Sequence, residues 1–303
     1  MKCRQSGKHQ LSLPHGNEGF GGHHFLGEIN EGETLEINFT ISPGLTSIFL
    51  TLWKDFVDDF EIELVAPNGE TTGKLPPNIK NRTIVIGETL VNFFNTEPVP
   101  YNEEQELFFL LTRVETGFES PLPNMIFPGG WKIRVRGINI VDGIFNIWLP
   151  TIEEVTRDTS FRIPNINTTL TLPSTSKKVI TVGAYNSSIN AVADFSGRGY
   201  TRSNVYIKPD LAAPGVNIIT TTVGGGYDSY TGTSFATPFV TGAVSLLMEF
   251  GIVNNNDPFL YGQRIKSFLR KGARREPNIM YPNPRWGYGF LCIMNVITRL
   301  IRG

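Results

Sequence analysis

The sequence predicts an α/β protein in two parts, with an all-β sandwich inserted into a domain built on a parallel sheet. Two textures predict it. From about Glu28 to Pro150, short β-branched and aromatic runs alternate with turn residues, whereas beyond Pro150 a nearly continuous apolar run is followed by helical periodicity. Size and composition agree: 303 residues at 40% hydrophobic can bury one large core or two ordinary ones, and Gly 31, Pro 20 and Phe 21 suit a turn-rich β protein better than a helix bundle.

Taken in order, strands are expected at Thr34–Ile41, Ser47–Trp53, Phe60–Ala66, Thr83–Ile86, Glu106–Val114, Trp131–Gly137 and Gly143–Leu149. Ile62, Leu64 and Ala66 alternate with Glu61, Glu63 and Val65, and Pro67-Asn68-Gly69 supplies the following turn. Such spacing belongs to an antiparallel sandwich. A polar linker runs to Asn167. Lys178–Ala184 (KVITVGA is its apolar body) then reads as a strand buried on both faces, and Gly215–Thr221 as a second of that kind. A helix is expected from about Ser234 to Phe250, with an apolar surface wide enough for deep burial. Another runs from Pro258 to Arg270, with Asp257 as its N-cap.

A net charge of -1 gives no general attraction to nucleic acid or anionic membranes. Cys3 and Cys292, at opposite ends of the chain, suggest no disulfide framework. The N-terminus lacks the apolar core of a secretory signal and no later stretch reads as a membrane span, so a soluble protein is expected. No cofactor or metal set is read: Asp55, Asp58, Asp59 and Glu61 look like an exposed acidic loop rather than a calcium site. Arg270–Arg275 reads as a solvated, cationic helix end, and the pairs Phe93-Phe94 and Phe108-Phe109 as sandwich core.

The segment most specific for chemistry is Tyr230–Pro238, YTGTSFATP, ahead of the apolar helix. A serine hydroxyl is a weak nucleophile until a base takes its proton, and a helix start favours the negative charge that develops. Ser234 has that placement, with Gly232 permitting the sharp entry and Ala236 a close approach. GTSFATPFVTGAVSLL closely resembles the serine motif of subtilisin-like proteases. The likeness extends through Leu172–Ala184, Asp194–Gly197 (DFSG), Lys208–Asn217 (KPDLAAPGVN) and Trp286–Gly289 (WGYG).

The resemblance implies roles for particular residues. Ser234 matches the nucleophile, and Asn17 in Gly16-Asn17-Glu18-Gly19 matches the asparagine whose amide, with the nucleophile's N–H, binds the oxyanion. Leu13-Pro14-His15 departs from the small apolar residues usual before that asparagine. The family's Asp and His should precede Asn17, yet the residues before it contain no Asp, and His9, His15, His23 and His24 begin no matching motif. Each of these histidines reads as a surface or turn residue. The long insertion after Asn17 resembles the clostridial subtilases of spore germination, which carry a jelly-roll domain there and activate a cortex-lytic pro-enzyme. Some of those relatives have lost catalytic residues.

The expectation is therefore an incomplete subtilisin-like parallel-sheet domain with an inserted jelly-roll-like sandwich: 1–27 as an N-terminal remnant, 28–150 as the insertion, 151–303 as the serine-bearing part. Its chemistry would be acyl transfer from a peptide or protein substrate to Ser234, but this chain alone should be inactive. The atypical first fifteen residues suggest a truncated reading frame, and an N-terminal protease half is a candidate partner. Two other readings stand beside this one: a non-catalytic binding or regulatory protein, spore-associated if the resemblance holds, and an autonomous enzyme whose base is His15 or His24.

Overall fold

The computed structural model describes residues 8–114, 125–156, 158–202 and 206–302, so the expectation for Cys3 lies outside the described residues. The chain divides into two compact units: Gly21–Asn165, and Met1–Phe20 together with Ile166–Gly303. Strand β1 (Ser12–Pro14) belongs to the second of these and precedes the first in sequence.

The Gly21–Asn165 unit is a β-sandwich. Its strands are β2 (His24–Glu28), β3 (Thr34–Ile41), β4 (Ser47–Asp55), β5 (Asp59–Val65), β6 (Asn81–Ile86), β7 (Thr89–Asn95), β8 (Glu104–Arg113), β9 (Gly129–Asn139), β10 (Ile144–Trp148) and β11 (Ser160–Phe161). One sheet has six strands in the order β2-β10-β4-β8-β7-β6, the other four in the order β11-β3-β9-β5. All their pairings are antiparallel. Side chains alternate across each strand, so Ile48, Leu50 and Leu52 of β4 and Leu107, Phe109 and Leu111 of β8 share one core with Phe39 of β3, Ile62 and Leu64 of β5 and Trp131 of β9. Trp131 is fully buried and still donates its indole N–H to Phe127 O at 2.9 Å, so its burial leaves no orphaned donor.

Several sequence expectations change in this unit. Strands β2 and β11, outside the 28–150 span, pair with β10 and β3 and extend the sandwich at both ends. Strand β7 falls where no strand was expected. Only Phe93 and Phe109 of the two pairs are core, because alternation turns Phe94 and Phe108 to the outer face, where Phe108 contacts Phe49 and Phe94 at 5.9 and 6.3 Å. Asp58 is fully buried rather than part of an exposed loop: its carboxylate accepts the N–H groups of Val141, Asp142 and Gly143 at 2.7, 3.0 and 2.8 Å. That geometry clips the turn before β10 and uses the oxygens a calcium ion would need. His23 and His24 are also buried, not surface residues. His24 Nε2 meets Asn146 Oδ1 at 2.8 Å, and its ring stacks on Trp148 at 4.8 Å.

The other unit is built on β12 (Ile180–Asn186), flanked by β1 on one side and, after β13 (Ala191–Val192), by β14 (Leu211–Pro214). Both flanking pairings are parallel, whereas β13 pairs antiparallel with β12. Ile180, Val182 and Ala184 on one face and Thr181 and Gly183 on the other are all buried, as expected of a strand covered on both faces. The second buried parallel strand is β14, not Gly215–Thr221. There, β15 (Ile218–Thr221) forms an antiparallel hairpin with β16 (Tyr227–Tyr230) and is largely exposed.

Helix α1 (Thr233–Met248) follows, and its helical course continues through a wider turn at Glu249–Val253. Thr233–Val253 is long and apolar enough, by length and composition alone, to cross a membrane, contrary to the sequence reading. Ala236, Val240, Val244 and Leu247 nevertheless pack into one core with Ile180, Val182 and Leu211. Its burial is one-sided rather than all round, since Phe239 and Leu246 stay 43% and 57% exposed. Helix α2 (Gly262–Gly272) begins later than expected, because Asp257 accepts the N–H of Phe259 in a turn and pairs with Arg264 instead of capping the helix. Helix α3 (Ile293–Arg302) has no counterpart among the expected elements.

Asp210 ties β12 to α2. Fully buried, it accepts the Thr181 N–H at 2.7 Å and pairs with Lys208 at 2.9 Å and Lys266 at 3.2 Å, while Arg270 donates Nε at 2.7 Å. Arg270 is therefore part of a buried ion cluster rather than a solvated helix end. Burial also pushes the Lys266 ammonium down to about 8.

Candidate active site

The expected site residues lie at two connected places. Strand β1 runs into His15, then Gly16 at φ 98°, then Asn17; a Cβ at Gly16 would stand 2.5 Å from Thr171 Cγ2. Only glycine makes that turn. Asn17 Oδ1 accepts both the N–H and the hydroxyl of Thr233, each at 3.1 Å, across 216 residues of sequence. Two donors on one oxygen fix the plane of the amide and therefore the direction of its Nδ2 donor.

Ser234 follows Thr233 in the first turn of α1 and is exposed. Gly232 at the N-cap has no side chain with which to cap the helix, and its N–H is held by Gly215 O at 2.9 Å. First-turn N–H groups without helical partners are directed outward at such an end, so positive potential gathers where the serine hydroxyl sits. Thr237, one turn on, returns its hydroxyl to Thr233 O at 2.9 Å, and Pro238 follows it within the helix. The Asn17 amide and the first turn of α1 thus form a donor-rich surface beside an exposed hydroxyl, an arrangement suited to a developing oxyanion.

The histidines do not complete it. His15 is fully buried, contrary to the surface reading, and both ring nitrogens have partners: Gly16 O and Ser196 Oγ, each at 3.3 Å. Desolvation holds its pKa at about 4. His24 is committed to Asn146 within the sandwich. Among the described residues no group of three or more His, Cys, Asp or Glu is arranged to hold a metal ion. Cys292 is a free, half-buried thiol.

The motif segments converge on the same unit. Phe195 O of DFSG accepts the Gly19 N–H at 2.8 Å, and Gly16 O accepts the Gly197 N–H at 3.0 Å. Residues 159–289 match the family model described as the subtilase family, Peptidase S8. Through this segment the chain is similar to the subtilase family. The structure of the CspB protease of Clostridium perfringens resembles it with a TM-score of 0.86 and 37% identity, over 96% of this chain and 59% of that one. Serine protease AprX of Bacillus subtilis strain 168 is 36% identical over 137 residues, 37% of this chain and 29% of AprX. An uncharacterized protein of Aquifex aeolicus strain VF5 is 34% identical over 140 residues, 39% of this chain and 60% of that protein. The chain therefore spans 29% and 60% of those two relatives and 59% of the CspB chain. The sequence had pointed to Asn17 and Ser234 but gave no sign of Thr233 as their link, which only the three-dimensional contact reveals.

Proposed function

We propose that this chain carries the serine-bearing portion of a subtilisin-like endopeptidase, in which residues 1–303 supply the nucleophile and the oxyanion donor but no recognisable catalytic acid or base. Ser234 is the nucleophile that forms the acyl-enzyme, and Asn17 Nδ2 with the Ser234 N–H stabilises the oxyanion of the tetrahedral intermediate. One observation carries the reading: Asn17 is fastened to the residue immediately before Ser234 at a helix start. The family resemblance had assigned roles to both residues, which lie 217 positions apart in sequence. Alone, such a site retains charge stabilisation but lacks the proton transfer that makes serine reactive. The remnant at 1–27, the inserted jelly-roll-type domain and the serine-bearing part are the divisions that suit this reading.

The partner that suits it is a polypeptide equivalent to the N-terminal half of the protease domain. Supporting this, the exposed side of α1 forms an apolar groove of about 610 Å³ with Phe239, Leu246, Ile219, Leu291 and Ile293 in its walls. The likeness to the CspB protease, together with the inserted sandwich, supports a setting in spore germination. The test is peptide cleavage and fluorophosphonate labelling of the chain, alone and mixed with the N-terminal half of a close complete relative, with Ser234→Ala as control. Labelling of Ser234 should be slow alone and rise with the added half. Rapid stoichiometric labelling of the isolated chain would show that a base is already present.

A second reading, a non-catalytic binding or regulatory protein, is favoured by the burial of His15, whose two ring nitrogens are already engaged. It expects no turnover even with the added half.

A further inference from the structure

His15 is a buried titratable side chain that the proposed chemistry does not use, at the position where the sequence departs from the small residues usual in subtilases. Its imidazole lies in a slot made by two glycines. A Cβ at Gly183 would stand 2.6 Å from His15 Nε2, and one at Gly197 3.0 Å from Nδ1. Two glycines thus make room for a ring that a small side chain would not need.

The polar contacts fix the tautomer. A carbonyl can only accept, so His15 Nδ1 carries the proton and donates to Gly16 O. Nε2 is then the acceptor for the Ser196 hydroxyl, which donates to it at 3.3 Å, while Ser196 Oγ accepts the Ala184 N–H at 2.9 Å. A continuous chain of hydrogen bonds therefore runs from the backbone of β12 through Ser196 and His15 to the peptide that joins Gly16 to Asn17. Main-chain bonds on either side, Thr171 N–H to His15 O at 3.1 Å and Gly197 N–H to Gly16 O at 3.0 Å, hold the same short segment.

We propose that His15 is a positioning residue for Asn17: anchored by Ser196, it sets the Gly16 turn so that the Asn17 amide meets Thr233. It touches neither substrate nor Ser234 and acts through Asn17 alone. This rests on the reading of Asn17 as an oxyanion donor only for its effect on turnover. Its hold on the amide is independent of that reading.

The test follows the side-chain NH₂ pair of Asn17 in ¹H–¹⁵N spectra of the full chain, assigned by its loss in Asn17→Asp. In His15→Ala the pair should move toward the position of a solvated amide and exchange with solvent about tenfold faster, as a side chain freed from a fixed hydrogen bond does. Ser196→Ala should produce the same change, and the double variant no more than the larger single effect, because both residues act through one chain of contacts. His15→Gln, which keeps an acceptor near the Nε2 position, should restore most of the signal. Val244→Ala, about three turns along α1 from Thr233, should lower thermal stability without moving the Asn17 pair. An unmoved Asn17 pair in a folded His15→Ala or Ser196→Ala chain would overturn the proposal, as would an equal shift in Val244→Ala. Should His15→Ala fail to fold, Ser196→Ala, which removes one oxygen, decides the matter alone. In the chain supplied with an N-terminal half, His15→Ala should lower kcat about tenfold with KM unchanged, as misplacement of a transition-state donor does. A shifted Asn17 signal with unchanged turnover would leave the positioning intact and reject Asn17 as the oxyanion donor.

Discussion

Burial of an imidazole among glycines commits it to the neutral form, and for His15 this links folding to pH. Its pKa falls from 6.5 to about 4 in the folded chain, with desolvation as the main cause. Between those values the unfolded chain binds more protons than the folded one, so stability rises with pH through the window and is lost as pH drops from 6.5 toward 4. The size of the linkage is about 3 kcal/mol, from the shift in units of 1.36 kcal/mol. Urea unfolding of the wild type and of His15→Gln at pH 7 and pH 4.5 should show the difference between them shrinking or reversing at the lower pH; parallel pH profiles would reject the linkage. Nothing in LSLPHGNEG announces this burial, because the slot is made by Gly183 and Gly197, far along the sequence. Asn17 and Ser234 were legible because their neighbours form local patterns. Thr233, His15 and the ion cluster around Asp210 were not, since their roles depend on partners brought in by the fold.

Secondary structure was most legible where burial is one-sided. Strand β3 occupies the expected Thr34–Ile41, and β4, β5, β8, β9 and β10 depart from expectation only at their ends, because alternation reports directly on a two-faced strand. Elsewhere, propensity misled. Ile218–Thr221 has the β-branched look of an interior strand but lies in an exposed hairpin, while the buried parallel strand is Leu211–Pro214, whose Ala and Pro residues are weak strand formers. Its place is set by the pairings of Leu211 with Val182 and Ala213 with Ala184. The ends of the sandwich carry a prediction of their own. A fragment of residues 21–165 should unfold cooperatively, since the core cluster from Ile29 to Phe161 lies within it. A 28–150 fragment loses β2 and β11, leaves new edges at β10 and β3, and should be less stable and prone to associate. Chemical denaturation and light scattering of the two fragments compare them, and equal stability would show that the outer strands contribute little.

For the whole chain, the groove along α1 predicts behaviour in solution. Phe239 and Leu246 expose apolar surface on a helix whose opposite side is core, so the isolated chain should self-associate with a concentration-dependent sedimentation coefficient. Phe239→Glu with Leu246→Glu should reduce association without lowering the thermal midpoint. A wild type that stays monomeric at high concentration would argue that this face needs no cover. The hydrogen bond from Phe161 N–H to Gly22 O, at 2.9 Å, has a consequence for the order of assembly. It draws together the two chain ends of the sandwich, between which 138 residues intervene. Pairing of Ser12 with Ile180 otherwise closes a very long loop. Once the sandwich has formed, the flexible part of that loop shrinks to about 25 residues, and the entropy of closure falls by roughly 1.5 kcal/mol on the logarithmic dependence. The insertion therefore serves as a staple in time: in pulsed hydrogen exchange, amides of β4 and β8 should gain protection before those of β12 that receive β1. The parallel sheet, and with it the seat of Asn17, then waits on a domain that contributes no strand to it.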